Sequence, residues 1–155
     1  MEQIEASIAR YIVNALGDDV FPYYNELPEG FKVPAVYFPE RETDSDAESL
    51  SSYALEEAWF VQIFAGSDSE AGDMAKHCLK RIVDSHYLIP LVDEEGEKTG
   101  RGIRLSGAQT KRIDKGIYQL YVTWDEIYLY GDSEKENPKV QKIKINVKLK
   151  EEDDE

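Results

Sequence analysis

A chain of 155 residues is about as long as one domain and can bury enough surface for a single hydrophobic core. Its 32 acidic and 18 basic residues give a formal net charge of −14, which repels nucleic-acid phosphates and anionic membranes and argues against stable docking on bare DNA. The single cysteine excludes an internal disulfide, and the sequence shows neither a signal peptide nor an apolar run near the roughly 20 residues that span a bilayer. These features predict a soluble chain that is made and kept in a reducing cytoplasm.

The N-terminal part begins with an amphipathic helix. Apolar residues recur at helical spacing from Ile4 to Leu16, and Gly17 follows where a helix cap is expected. Residues 20–24 then predict a short strand. The stretch "ELPEGF" is typical of a turn, because proline presets one backbone angle and glycine accepts a positive φ. It leads into a second predicted strand, "VPAVYF", at residues 33–38.

The middle of the chain alternates between polar and apolar segments. Residues 40–52 are rich in acid and serine without a period, which predicts a mobile loop between two strands. Residues 56–65 are apolar on both alternating faces and predict a strand that is covered on both sides. A second helix is predicted from Ser67, since Glu70 stands at capping-box spacing.

The second half is dominated by a predicted hairpin. After a polar loop at residues 93–102, two strands run from Ile103 to Tyr130 across the connection "DKG". Aromatic residues lie on both faces of the return strand, so we expect one face to be buried by something other than the chain's own core. The sequence thus predicts an α+β domain over residues 1–130, in which a mixed or antiparallel sheet packs against two helices and ends in this long β-hairpin.

The C-terminal extension, residues 131–155, differs from the rest. After a linker, Ile143, Ile145 and Val147 alternate with lysines, which predicts an extra strand at residues 140–149 before an acidic tail. A lone strand is unstable in water, so this one is expected to add to a sheet edge, either its own or a neighbour's.

The sequence gives little support for catalysis, metal binding or a cofactor. His77 and His86, both placed on the second helix, are nine residues apart and face opposite sides of it, so they cannot share a metal there. Cys78 lies on the apolar stripe and is predicted to be a core residue rather than a nucleophile. The carboxylates lack EF-hand spacing, and "GRGIRLSG" lacks the strand, loop and helix order of a phosphate-binding loop. We expect no enzyme.

Basic residues are concentrated near the predicted hairpin, while acid dominates elsewhere. They are Arg101, Arg104, Lys111, Arg112 and Lys115. One interpretation is that they balance neighbouring carboxylates. The other is that they meet the acidic surface of a partner or of a second copy, and repeated head-to-tail contact of that kind closes a ring.

The order of elements, together with three stretches, resembles a known family. The stretches are "YYNELPEGFKVPAVYF", "AWFVQIFA" and "RIDKGIYQLYVTWDEIYLY". They are similar to the tail terminator proteins of tailed bacteriophages and phage-tail-like particles, over about residues 3–130. The extension and the long loops at 40–52 and 93–102 depart from that pattern.

The resemblance implies a structural role in the virion tail or neck, after assembly in the host cytoplasm. Tail terminators form rings, usually hexameric, that cap the tail tube, end its polymerisation and offer the surface that joins the head. The implied partners are further copies of the chain, the tail tube protein, a head-completion or connector protein and, in a contractile tail, the sheath protein. DNA would pass through without specific binding, and no cofactor is implied.

Two sets of residues are candidates for these contacts. The interface set combines the family's turn with the basic residues and the extra strand: Glu29, Gly30, Phe31, Arg101, Arg104, Arg112, Ile143, Ile145 and Val147. The second set, Asp44, Asp46 and Glu48, is expected to face the channel, where acid would keep passing DNA from sticking. We also expect the lysine-rich strand to pair with an adjacent subunit or with sheath.

Alternatives remain open at this point. A head-completion or connector protein would also form a ring. An acidic DNA-mimic inhibitor of a host enzyme would suit the charge, although its carboxylates should lie on regular exposed faces.

Overall fold

The computed structural model describes residues 1–130, so the predicted strand at 140–149 lies outside the described residues. The described part confirms an α+β fold with two helices and eight strands. In chain order these are α1 (Gln3–Leu16), β1 (Phe21–Tyr24), β2 (Ala35–Phe38), β3 (Glu42–Ala47), β4 (Ser52–Phe64), α2 (Asp68–Asp84), β5 (Leu88–Val92), β6 (Lys98–Arg104), β7 (Gly107–Asp114) and β8 (Ile117–Leu129). The division of the chain at residue 130 stays a prediction.

The main sheet is mixed and is built around two long strands. Its order is β1-β2-β4-β8-β7, with β1 and β2 parallel and the other pairs antiparallel. Strands β4 and β8 pair along 13 residues each, whereas β2 contacts only residues 62–64 of β4. Strand β3 pairs with residues 53–58 of β4, on the same side as β2 but further along the strand. The end of the sheet that carries β3 therefore has its own edge strand.

Both helices cover one face of the sheet. Helix α1 contributes Ile8 and Ile12 to the core, and α2 contributes its apolar stripe. They pack on a row of rings across three strands, in which Phe38 lies 5.3 Å from Trp59 and Trp59 lies 6.1 Å from Trp124, centroid to centroid. Since all three side chains are almost fully buried, this row is the centre of the core.

The small sheet of β5 and β6 is attached to α1 through a buried serine. Ser7 Oγ accepts a hydrogen bond from the backbone N–H of Val92 at 2.9 Å and donates to the carbonyl of Gln3 at 2.8 Å. The Gln3 side chain in turn donates to the Val92 carbonyl at 3.0 Å. A buried hydroxyl needs such partners, and here they fix the position of the second sheet.

The prediction of a mobile loop over residues 40–52 is wrong, because residues 42–47 form β3. All six residues are exposed, which explains why no apolar period marks the strand. Residues 42–47 are extended because they pair with β4. Strand β4 continues well beyond β2, and β3 pairs with the backbone groups of its residues 53–58. Within residues 40–52, only Glu40, Arg41 and the turn at residues 48–51 lie outside the two strands.

The boundaries of the predicted hairpin also need correction. The hairpin of β7 and β8 is confirmed, but it begins at Gly107, because Ile103 and Arg104 belong to β6 and pair with β5. Much of the predicted polar loop at 93–102 is likewise strand β6. Helix α2 ends at Asp84, so His86 lies in the following turn, with a φ of 59°.

The prediction that β4 is covered on both faces holds fully for one face and in part for the other, where Phe64 is buried against Phe31. Trp59, Val61 and Ile63 face the helices and are buried, while Phe60 on the opposite face is half-buried against Tyr121, at 4.8 Å between ring centroids. We call this second side of the sheet the outer face. No helix in residues 1–130 is long and apolar enough to cross a membrane.

Candidate functional site

The part of the main sheet that carries β3 has two chemically different faces. Three strands meet there: β3, residues 52–58 of β4 and residues 123–129 of β8. We call this three-stranded end the acidic arm. Tyr130 closes its tip, since its backbone N–H donates to the carbonyl of Ser51 at 3.0 Å.

The outer face of the acidic arm carries carboxylates in register on neighbouring strands. Asp44 lies opposite Glu56, and Glu56 lies opposite Asp125, so one acid from each strand forms a row across the arm. Glu42 and Asp46 are two residues from Asp44 on either side and therefore share its face. Like charges at directly opposite positions destabilise a sheet, which makes this row costly without a partner.

The electrostatics of Glu56 reflect that crowding. Residual desolvation, followed by the charges of Asp125, Asp46 and Asp44, raises the pKa of Glu56. Within residues 1–130 the ion pairs between side chains involve Arg41 and Arg112, neither of which pairs with this row. The outer face of the acidic arm is thus an unneutralised negative surface in the described part of the chain.

The opposite face of the arm buries two further carboxyl groups. Glu57 is 2% exposed and accepts from Arg41 Nε at 2.8 Å and from Thr43 Oγ1 at 2.6 Å. The same guanidinium contacts Glu5 and, at 3.1 Å, Glu2 at the start of α1. One arginine therefore joins the first turn of α1 to the sheet.

The charge balance around Arg41 favours its ionised form. Burial lowers the pKa of Arg41, but the surrounding carboxylates, led by Glu57, outweigh that effect and raise it above its ordinary value. Removing the guanidinium would leave several carboxylates close together at a partly buried site.

The second buried carboxyl group, Glu126, is held by two neighbours on its own strand. It is 5% exposed and accepts from Trp124 Nε1 at 3.1 Å and from the Tyr128 hydroxyl at 2.5 Å. Burial raises the pKa of Glu126, and the nearby charge of Glu57 adds to the increase, although the two hydrogen bonds act in the opposite direction. Burial and the bond to Glu126 also raise the pKa of Tyr128.

The sequence interpretation missed these residues, although a signal was present. Glu57 lies two residues before Trp59, and Glu126 lies two residues after Trp124, so the period of a strand places both acids on the buried face. A buried acid next to a tryptophan in the same face predicts hydrogen-bond partners, and here the structure supplies them.

Substitution of Glu126 by glutamine is expected to change how stability depends on pH. Because the pKa of Glu126 is raised in the folded state, its stabilising contribution is complete below the ordinary pKa of a glutamate and is lost as pH rises through the folded value. Glu126→Gln should therefore gain stability relative to the wild type as pH increases from acidic to neutral, measured by urea unfolding at several pH values.

The matched control for that measurement is Glu29→Gln, which removes one negative charge at an exposed turn. It should follow the pH profile of the wild type. Parallel pH profiles for Glu126→Gln and wild type would contradict a raised pKa for Glu126.

The structure places the predicted channel-facing acids together, but in a different setting from the one expected. Asp44 and Asp46 lie on β3 rather than on a loop, and Glu48 lies in the turn that follows. All three are exposed. Which of them face a channel stays a prediction.

The predicted turn residues have separate roles. Glu29 and Gly30 are exposed at the turn, where Gly30 has a φ of 70°. Phe31 instead packs on the outer face, with its ring 4.8 Å from that of Phe64 and 6.0 Å from that of Tyr23. Of the three predicted turn residues, Phe31 therefore contributes to packing within the subunit.

The basic residues do not form one cluster on the hairpin. Arg101 and Arg104 are exposed on β6, where Arg104 Nη1 donates to the carbonyl of His86 at 2.6 Å. Arg112 is on β7 and pairs with Asp68 at the start of α2, at 3.0 Å. Their role in an interface stays a prediction, and Ile143, Ile145 and Val147 lie outside the described residues.

The residues considered for catalysis differ in burial. Cys78 is buried, and that burial raises the pKa of its thiol to about 12, which leaves little thiolate at neutral pH. His77 and His86 are exposed. Among the described residues, no three histidine, cysteine or acidic side chains form a group that could hold a metal ion.

Comparison with known proteins adds an independent observation. The chain matches no protein-family model. It is 30% identical over 128 residues to the phage-like element PBSX protein XkdJ of Bacillus subtilis (strain 168), which covers 83% of this chain and 86% of that protein. The chain belongs to the XkdJ family. The name of XkdJ assigns that relative to a phage-like element.

A second relative extends the similarity towards the C-terminus. The uncharacterized protein YqbJ of the same organism is 28% identical over 148 residues, which covers 96% of this chain and all of YqbJ. A match of that length must include most of residues 131–155. Most of the C-terminal extension therefore has a counterpart in YqbJ.

Proposed function

We propose that this chain is a structural protein of a phage or phage-like element, and specifically a tail terminator. It forms a ring, with six copies as the expected number, that caps the tail tube, ends tube polymerisation and provides the surface to which the head is joined. In a contractile tail the ring also contacts the last sheath subunits. The proposed location is the tail or neck of the virion, after assembly in the host cytoplasm.

The observation that carries the proposal is the match to XkdJ over most of both chains, because the name of that relative places it in a phage-like element. The resemblance of the turn and strand stretches to tail terminators narrows the role. The open edge and charged outer face of the acidic arm support assembly with further subunits, since an exposed strand edge pairs readily with another chain.

A second candidate, the DNA-mimic inhibitor, gains support from one observation. Glu42, Asp44 and Asp46 lie at regular spacing on an exposed strand rather than in an irregular loop, which is the arrangement such inhibitors need. The two functions predict different states of the purified chain. A ring protein assembles with itself or on the tube, whereas a mimic binds a host enzyme in a salt-sensitive complex.

The test is native mass spectrometry of the full-length chain, alone and with the tail tube protein of the same element. We expect discrete hexamers, or rings that form only with the tube protein. A chain that remains monomeric with tube protein and instead forms a salt-sensitive complex with a host nuclease would overturn the tail terminator in favour of the mimic.

A further inference from the structure

Strand β3 has an edge that nothing in the described residues covers. It pairs with β4 on one side, and residues 1–130 provide no strand on the other. All six of its residues are exposed. An edge strand of this kind presents unpaired N–H and C=O groups and accepts a further strand, unless charge opposes the pairing.

Charge restricts the strands that can bind there. Glu42, Asp44 and Asp46 point to one face of β3, and the row through Glu56 and Asp125 continues that face across the arm. An acidic or neutral strand would leave these carboxylates unneutralised, whereas a basic one would place opposite charges at cross-strand positions. The occupant should therefore carry several lysines or arginines on one face of the strand.

The chain itself contains one segment with that pattern. Residues 139–150 include five lysines and no acid, in a protein whose net charge is −14. Lys142, Lys144 and Lys148 are separated by two and four residues, so they share one face of the predicted strand, with apolar residues on the other face. Same-face positions repeat every two residues, about 6.8 Å apart along an extended chain, so Lys142 and Lys144 can align with two neighbouring acids of β3, while Asn146 interrupts the row before Lys148.

We propose that residues 140–149 of a neighbouring copy add to the open edge of β3, with their lysines facing Glu42, Asp44 and Asp46. This inference rests on the proposed function in that it needs a second copy of the chain, and it names the surface by which copies are joined. Each copy carries both the acidic edge and the basic strand. When each copy donates its strand to the next copy, the contact is head-to-tail, and it generates a ring if the rotation closes.

The position and charge of the linker favour a neighbour over the same chain. Residue 130 is at the tip of the acidic arm, and the linker begins there with Asp132, Glu134 and Glu136. These three acids outnumber the two lysines of the linker, Lys135 and Lys139, and like charge disfavours their packing against the arm, which is why the proposal assigns the strand to a neighbouring copy. Nine linker residues, 131–139, can span at most about 30 Å, so the proposal requires the β3 edge of the neighbouring copy to lie within that distance of Tyr130.

Zero-length carbodiimide cross-linking of mixed light and ¹⁵N-labelled full-length chains tests the inference. The expected products are peptides that join a lysine of residues 139–150 to an acid of residues 42–46, with one light and one heavy partner. Cross-links of these two segments that always carry the same label would overturn the inference in favour of the chain's own strand. Failure of the two segments to cross-link would overturn the docking surface itself.

Two variants make the result specific. The triple variant Glu42→Gln, Asp44→Asn, Asp46→Asn leaves no carboxyl group in residues 42–46 to be cross-linked, so it is assessed by native mass, and it should lose the oligomer. The control variant Asp18→Asn, Asp19→Asn, Glu94→Gln makes the same charge change at exposed sites and should keep both the oligomer and the cross-links. An oligomer that persists in the triple variant would contradict the role of the acidic edge.

The outcome is separable from the proposed function. If the chain caps tubes but the mixed-label cross-links are missing, the docking surface is wrong and the tail terminator stands. If the cross-links form but tube growth is unaffected, the docking surface stands and the tail terminator is wrong.

Discussion

Replacement of Arg41 by methionine is expected to lower the free energy of unfolding by about 3 kcal/mol at neutral pH, because buried carboxylates lose their counter-charge. Arg41 contacts Glu57, which is 2% exposed, together with Glu2 and Glu5 on α1. Methionine keeps much of the side-chain volume, so the loss reports charge rather than a cavity. Urea unfolding of the full-length protein at pH 7 measures it.

The matched control is Arg112→Met, because the pair of Arg112 with Asp68 is exposed and should contribute little. Adding Glu57→Gln to Arg41→Met should recover part of the lost stability, since the unpaired charge is then removed. Equal effects of Arg41→Met and Arg112→Met would contradict the account of a buried charge cluster.

Truncation of Trp59 to alanine is expected to lower the free energy of unfolding by about 4 kcal/mol through the cavity it leaves in the core. Trp59 is 1% exposed and lies between Phe38 and Trp124. Its indole N–H also donates to the Pro39 carbonyl at 2.5 Å, so truncation leaves that carbonyl without this bond. Thermal and urea unfolding both report the change.

The next residue of the same strand, Phe60, is the matched control. Its ring lies on the outer face and is half-buried against Tyr121, so Phe60→Ala should cost clearly less stability than Trp59→Ala. If assembly covers the outer face, Phe60→Ala should weaken the oligomer instead. Equal losses of stability at the two positions would contradict a sheet that is covered by helices on one face only.

The sequence was sufficient where local signals decide the structure. The spacing of apolar residues and the cap at Ser67, whose hydroxyl accepts from the Glu70 N–H at 3.1 Å, predicted both helices. The hairpin of β7 and β8 followed from the turn around Gly116, which has a φ of 72°. These elements are specified by neighbouring residues.

The sequence was insufficient where a distant partner decides the structure. Strand β3 has no buried residue and therefore no apolar period, and its conformation comes from the free edge of β4. Strand β6 contains Gly100 and Gly102, weak strand formers, and is held by β5 and its register. Neither strand can be predicted before its partner has been placed.

The candidate site was predicted only in part, because its geometry also depends on residues that are distant in the sequence. Asp44 and Asp46 were selected for their charge, but their regular spacing on a strand, and the row they form with Glu56 and Asp125, depend on the register of three strands. The position of Arg41 between α1 and β4 brings together residues far apart in sequence. Such convergence follows from the tertiary fold rather than from any local pattern.

The most direct test of a ring-forming tail terminator is electron microscopy of particles assembled without this chain. In an element from which its gene has been deleted, we predict tail tubes without a fixed length and capsids that remain unjoined, both restored by supplying the full-length chain. Tails of normal length attached to capsids in the absence of the chain would contradict the account.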